Sequence, residues 1–270
     1  MRTLRQAKIS LLAGSLVILC GIALGCSSSR VPVERTASSP TGAPGQSGTL
    51  VGPKVAQRLS APEIAARLYD PKATQVPIFD AQRLLLTSAY SRNHYGKDTY
   101  RLTDPEMIVV HYTAIESQQE TLRFFQPALL DHQSRKDIAS GGDVNVSAHY
   151  LVDTYGELYQ LAPEDVICRH TIGFNHSAIG IENIAADADH LSDRQAQATA
   201  GLIIRIVSRH PTIHYLIGHH EYRESNLPHY RLFIEHDATY HFTDKIDPGP
   251  IFMARVRQLL KELYGIILSD

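Results

Sequence analysis

Two periods of apolar and polar residues run through this chain, and the switches between them mark its elements. In EMIVVHYTA (106–114) the run Met107–Val110 is short, apolar and β-branched before it turns polar, which predicts a buried strand delivering His111 at its end. Residues 117–132, SQQETLRFFQPALLDH, space Leu122, Phe125 and Leu129 as a helix does, with Pro127 set against that assignment. A glycine-rich loop follows. Residues 148–163, AHYLVDTYGELYQLAP, then read as a hairpin, with Tyr150, Val152 and Leu158 in two β-rich runs around Gly156. SAIGIENIA (177–185) is another apolar strand, with Glu182 inside it. Ser192 and Gln195 form a capping-box signature that opens a helix over 193–210, halted by Pro211. IHYLIGHH (213–220) is a strand ending in His219 and His220. IFMARVRQLLKELYGI (251–266), with apolar positions three and four apart, is a C-terminal helix. The order β-α-β-β-β-α-β-α predicts an α/β fold, a single domain with a central mixed β-sheet flanked by helices.

The first hundred residues do not follow this pattern. MRTLRQAK carries Arg2, Arg5 and Lys8 ahead of the apolar stretch ISLLAGSLVILCGIAL, the layout of a secretory signal over 1–25. That stretch is short for a membrane span, which takes about 20 residues. IALGC resembles a bacterial lipobox, although Ala23 and Leu24 stand where the commonest form has Leu and then Ala or Ser. The resemblance makes Cys26 the lipidated first residue of the mature chain. Residues 26–53, rich in Ser, Pro, Gly and Thr, read as a flexible tether. Ser27 is not the aspartate that retains lipoproteins at an inner membrane, so the expected place is the outer membrane, facing the periplasm. Residues 54–104 are expected to be an extension packing on the catalytic domain. Within it APEIAARLY (61–69) has helical character, and 81–96 fits neither period.

Composition changes little. With 43% hydrophobic and 20% charged residues the chain has material for a core, and a formal charge of −2 gives no reason to expect nucleic acid. Of three cysteines, Cys20 lies in the leader and Cys26 would be lipidated, which leaves Cys168 alone and no internal disulfide.

The chemistry concentrates at strand ends. His111 and His219 close two buried strands that are remote in sequence, and the turn KIDPGP (245–250) adds Asp247. Two imidazoles and a carboxylate make a three-ligand set with an open fourth position, the layout of catalytic zinc. On spacing alone these residues stand almost as readily for unrelated core histidines. HEYRE (220–224) is not an HExxH motif, because Glu224 replaces the second histidine. His149 reads as a packed or hydrogen-bonded strand residue, and His176, His229, His236 and His241 as surface or loop residues.

IVVHYTA, SAHYLVDTYGELYQLAPED, RHTIGFNHSAIGIENIA, IGHHE and KIDPGPIF, in this order, resemble the motifs of the zinc-dependent N-acetylmuramoyl-L-alanine amidases of type 2. That family includes amidase-type phage lysozymes and peptidoglycan recognition proteins. The likeness covers roughly residues 105–264 and suggests a catalytic domain over 105–270. It implies that His111, His219 and Asp247 bind Zn²⁺, that Glu182 is the general base and that Lys245 stabilises the transition state. Histidine directly after Gly218 fits the family pattern, which favours His219 over His220. His170 matches a position lining the substrate cleft and is read, with Asn175 of the same block, as substrate-binding. The resemblance implies a monomeric enzyme, tethered to a membrane by its lipid, that cleaves the amide between N-acetylmuramic acid and L-alanine in peptidoglycan or muropeptides. A non-catalytic peptidoglycan-binding module and another exported zinc peptidase are the alternatives.

Two departures stand out. Ala148 occupies the place of a tyrosine that assists in the phage members, which leaves the base role to Glu182. The connection from His219 to Lys245 is much longer than in many relatives, and its Tyr, His and Arg content suggests a lid or a wall of the groove.

Overall fold

The apolar run from Met107 forms β2 (Met107–Tyr112), whose first five residues are buried. The computed structural model describes residues 68–270. The leader over 1–25, Cys26, the tether to residue 53 and the extension as far as residue 67 lie outside the described residues. Six strands make one mixed sheet: β1 (Thr74–Gln75), β2, β3 (Tyr150–Val152), β4 (Leu158–Gln160), β5 (Ala178–Asn183) and β6 (Tyr215–Gly218). Their order is β1-β4-β3-β5-β2-β6, and only the β3–β4 hairpin is antiparallel. No helix among the described residues is long and apolar enough to cross a membrane.

Side chains alternate across the sheet. Ile108, Val110, Ile179 and Ile181 enter one core, covered by α3 (Asp193–Arg209) and α4 (Pro250–Tyr264). Met107, Val109 and Ala178 enter a second core beneath α1 (Ala81–Tyr95) and the segment 220–244. The capping box of α3 is present as expected: Gln195 N–H donates to Ser192 Oγ, and Ser192 N–H donates to Gln195 Oε1 at 3.0 Å.

Two helices depart from the sequence pattern. Residues 81–96, which fit neither period, form α1, capped by Asp80 at its start and by Gly96, at φ 68°, at its end. Its buried face is Arg83, Thr87, Tyr90, Ser91, His94 and Tyr95, so no apolar stripe betrays it. α2 (Gln118–Phe125) stops short of Leu129, which lies in a bridge to Val144. Pro127 has no N–H to continue the helix, and the buried Arg83 guanidinium donates to the carbonyls of Phe125, Gln126 and Pro127 instead.

The long connection after His219 is packed down rather than raised over the sheet. Ile234 N–H donates to Gly173 O and His236 N–H to His94 O, each at 3.0 Å. His94 and Glu235 pair at 2.7 Å. Tyr230 and Phe233 stack at 5.1 Å, and Phe233 meets Phe174 edge-on. His229, expected at the surface, is fully buried here against Phe174, because the aromatic packing of this segment closes over it.

Gly173 shows how closely the segment fits. It sits at φ +82°, and a Cβ there would lie 2.2 Å from the Phe233 ring. Gly173→Ala should therefore cost about 2 kcal/mol or more through backbone strain and overpacking. Urea denaturation checks this, and an unchanged midpoint would show that the 220–244 segment is not locked to the sheet at this point.

Candidate functional site

Parallel pairing builds the site. β2 and β5 are in register with His111 opposite Glu182, and β2 and β6 with Val110 opposite Gly218. Partners at one level of a parallel pair face the same way, so Glu182 and His111 share a face, and the residue after Gly218 arrives beside them. β6 ends at Gly218, and His219–Glu221 form a short 3₁₀ turn. The two histidines therefore do not separate by strand alternation. His219 turns into the site, while His220 donates its N–H to Asp247 O at 2.8 Å, its ring Nδ1 3.2 Å from the same oxygen. This contact holds the turn that carries Asp247, and Pro250 begins α4 directly afterwards.

Three donor atoms converge. His111 Nδ1 and His219 Nδ1 are 3.0 Å apart, and Asp247 Oδ2 lies 3.2 Å from the first and 3.1 Å from the second. The three groups stand within 4.8 Å of one another as a set able to hold a metal ion. Bonds of about 2.0 Å in a tetrahedron put ligand atoms about 3.3 Å apart, so the observed triangle fits an ion with little movement. A cation between them would take one lone pair from each of the three groups.

The electrostatics agree with the donor set. Burial lowers His219 to about 4, so its imidazole is neutral and its lone pair free at neutral pH. Burial would raise Asp247, but the His219 and His111 imidazoles facing it hold its carboxyl well below the usual carboxylate range. Glu182 is different. It is 9% exposed, its Oε2 has no hydrogen-bond partner, and burial pushes its carboxyl up to about 7. A carboxyl beside three converging donor atoms, and titrating near neutrality, is fit to take and return a proton.

His111, His219, Asp247, Glu182, Lys245 and His170 all line one cleft of about 340 Å³. Asn175 lies behind His170, 1% exposed, with Oδ1 accepting from the N–H groups of His170 and Thr171 and Nδ2 donating to the Tyr90 hydroxyl. Ala148 is fully buried and reaches no ligand. His149 Nδ1 accepts from Gly180 N–H and Nε2 donates to Val166 O, which fixes it as a neutral structural imidazole, and burial lowers it to about 4. The long connection contributes only its last residues, Asp244 with Lys245, to the cleft.

The cleft also contains residues that the pattern did not single out. Tyr112 and Arg135 line it, and the Arg135 guanidinium lies over the Phe124 ring at 5.9 Å. Tyr112 follows His111 at a strand end, which is a usable signal. Arg135 sits in a loop with no period, and nothing in the sequence marks it.

The N-acetylmuramoyl-L-alanine amidase family profile matches residues 101–250, more than half of the chain. No curated protein sequence matches it. Among solved structures, a selenomethionine derivative of AmpD is similar at 23% identity and a TM-score of 0.45, over 71% of this chain and 96% of that one. The Ph2119 endolysin from the Thermus scotoductus MAT2119 bacteriophage Ph2119 is similar at 20% identity and TM-score 0.40, over 63% and 96%. Peptidoglycan recognition protein-LE, solved with tracheal cytotoxin, is similar at 19% identity and TM-score 0.38, over 55% and 82%.

The raised Glu182 carboxyl predicts a pH dependence of stability in the metal-free protein. Its folded value of about 7 lies above the ordinary 4.5. The folded state therefore binds the proton more tightly, and this stabilisation is complete below pH 4.5 and lost as pH rises through about 7. Glu182→Gln should remove that loss, roughly 3 kcal/mol across the window. Denaturation of metal-free wild type and variant at pH 4.5 and pH 8 would show parallel stabilities if Glu182 is not held in this way.

Proposed function

Since this chain belongs to the N-acetylmuramoyl-L-alanine amidase family, we propose that it hydrolyses the amide between the lactyl group of N-acetylmuramic acid and L-alanine of the stem peptide, with zinc as its metal. The observation that carries the reading is the triangle of His111 Nδ1, His219 Nδ1 and Asp247 Oδ2, with the buried Glu182 on the next strand. Two nitrogens and one carboxylate oxygen make a donor set that would suit zinc. When bound there, zinc supplies a Lewis acid of net charge +1 that acidifies a water and polarises a carbonyl.

The chain's own residues provide the remainder. Glu182 takes a proton from the attacking water at its unpartnered Oε2. The hydroxide oxygen bonds to the lactyl carbonyl carbon, and Lys245, on the cleft wall, stabilises the negative charge that builds on the carbonyl oxygen. The C–N bond then breaks, and Glu182 passes its proton to the departing alanine nitrogen. The products are a free lactyl carboxylate and a free stem peptide. Aromatic and aliphatic residues such as Phe124 and Ile115 line the wall of the same cleft. Export and lipidation at Cys26 would hold the domain beside peptidoglycan at the outer membrane, on the periplasmic side.

Digestion of muropeptides followed by mass spectrometry tests the reading. Free stem peptides beginning with L-alanine are expected, and chelation should abolish their release until Zn²⁺ is restored. Glu182→Ala should retain zinc but lose about 10²–10⁴-fold in kcat. Intact bound muropeptide would indicate a recognition module, and cleavage within the peptide a peptidase. Either result rejects the amidase assignment.

A further inference from the structure

His170 makes a contact that a substrate-binding role does not call for. Its Nδ1 lies 3.1 Å from His111 Nε2, with the rings edge to face and centroids 5.2 Å apart. His111 turns its other nitrogen, Nδ1, toward His219 and Asp247. An imidazole that offers Nδ1 to a metal carries its proton on Nε2, so His111 Nε2–H donates and His170 Nδ1 accepts. The partner of a ligating imidazole sets its tautomer and the rotation of its ring.

His170 is itself held from behind. Its ring lies on Gly180, where a Cβ would come within 2.9 Å of it. The Thr171 hydroxyl approaches the same Nδ1 at 2.9 Å and helps fix the ring. Asn175 Oδ1 accepts the N–H groups of His170 and Thr171 at 2.9 and 2.7 Å, and Asn175 Nδ2 donates to the Tyr90 hydroxyl at 3.1 Å. Tyr90, 4% exposed, belongs to α1, and the Tyr95 hydroxyl lies 3.4 Å from its own. Both ends of the Asn175 amide are thus engaged in bracing the backbone behind His170. The family profile begins at residue 101, so α1 lies outside the part of the chain it describes.

We propose that His170 is a positioning residue that fixes His111 for the metal, and that α1 holds it in place through Tyr90 and Asn175. This rests on the reading of His111, His219 and Asp247 as metal ligands. Tertiary contacts from a helix that precedes the family-matched residues thus reach the metal centre in three steps: Tyr90 to Asn175, Asn175 to the backbone of His170, and His170 to His111.

The test is Zn²⁺ affinity of the full chain, measured by competition with a chromogenic chelator, alongside KM and kcat at saturating zinc. His170→Ala should weaken Zn²⁺ binding about 10–100-fold while KM stays within about two-fold of wild type. His170→Gln keeps an acceptor at this position and should recover most of the affinity. Tyr90→Phe, remote from the metal, should weaken Zn²⁺ binding a few-fold with the fold intact by thermal denaturation. If His170→Ala leaves Zn²⁺ affinity unchanged, the proposal falls, and a raised KM would then mark His170 as a substrate contact. Unchanged affinity in Tyr90→Phe overturns the part assigned to α1. A wild-type chain that takes up no Zn²⁺ overturns the metal reading itself, a result separate from the others.

Discussion

The parallel register of β5, β2 and β6 is the constraint on which the rest of this molecule depends. It levels Glu182 with His111 and brings the end of β6 beside them, so that two neighbouring strands hold a carboxyl and an imidazole on one face and the turn after β6 adds the second imidazole. A slip of one residue would send Glu182 or His111 to the opposite face. The same alternation that aims them inward drives Ile108, Val110, Ile179 and Ile181 into the core under α3 and α4. Burial of that apolar face is what fixes the register. Core packing and site geometry are therefore one property of the sheet.

A sheet can deliver only part of the site. The third donor comes from the turn after the long connection, and it arrives because His220 grips the Asp247 carbonyl while Tyr222 holds the backbone of Thr243 through its hydroxyl. The connection is anchored on α1 and Phe174, so a segment with little regular structure brings the Asp247 carboxylate to the two imidazoles. The charge balance follows from depth. Burial discourages charge on His219 and on Glu182 alike, which leaves one a neutral imidazole and the other a carboxyl near its titration point, while Asp247 stays ionised because it faces imidazoles.

What was legible in the sequence was what depends on local pattern. The strand ending at His111, the hairpin around Gly156, the Ser192 capping box and the amphipathic C-terminal helix each carry their own period or cap, and each is found where that pattern puts it. α1 was not legible, because its buried face carries Arg83, Thr87 and His94, and the partners of Arg83 and His94 lie far along the chain. The end of α2 was half legible: Pro127 marks the stop, but Arg83, which takes up its carbonyls, comes from 40 residues or more earlier. His229 carries no local mark of burial, since the Phe174 ring that it packs against comes from a separate loop.

The sequence by itself therefore determined the order of elements, the α/β class and the residue types that can bind a metal or carry a proton, because these follow from hydrophobic period and side-chain chemistry. Tertiary structure decided which of those residues meet. It chose His219 over His220 by a turn rather than by strand alternation, set Glu182 level with His111, and made Asn175 a brace behind His170. The physical reason is that convergence of side chains from distant strands is a matter of register and loop packing. Neither leaves a trace in the spacing of residues along one chain.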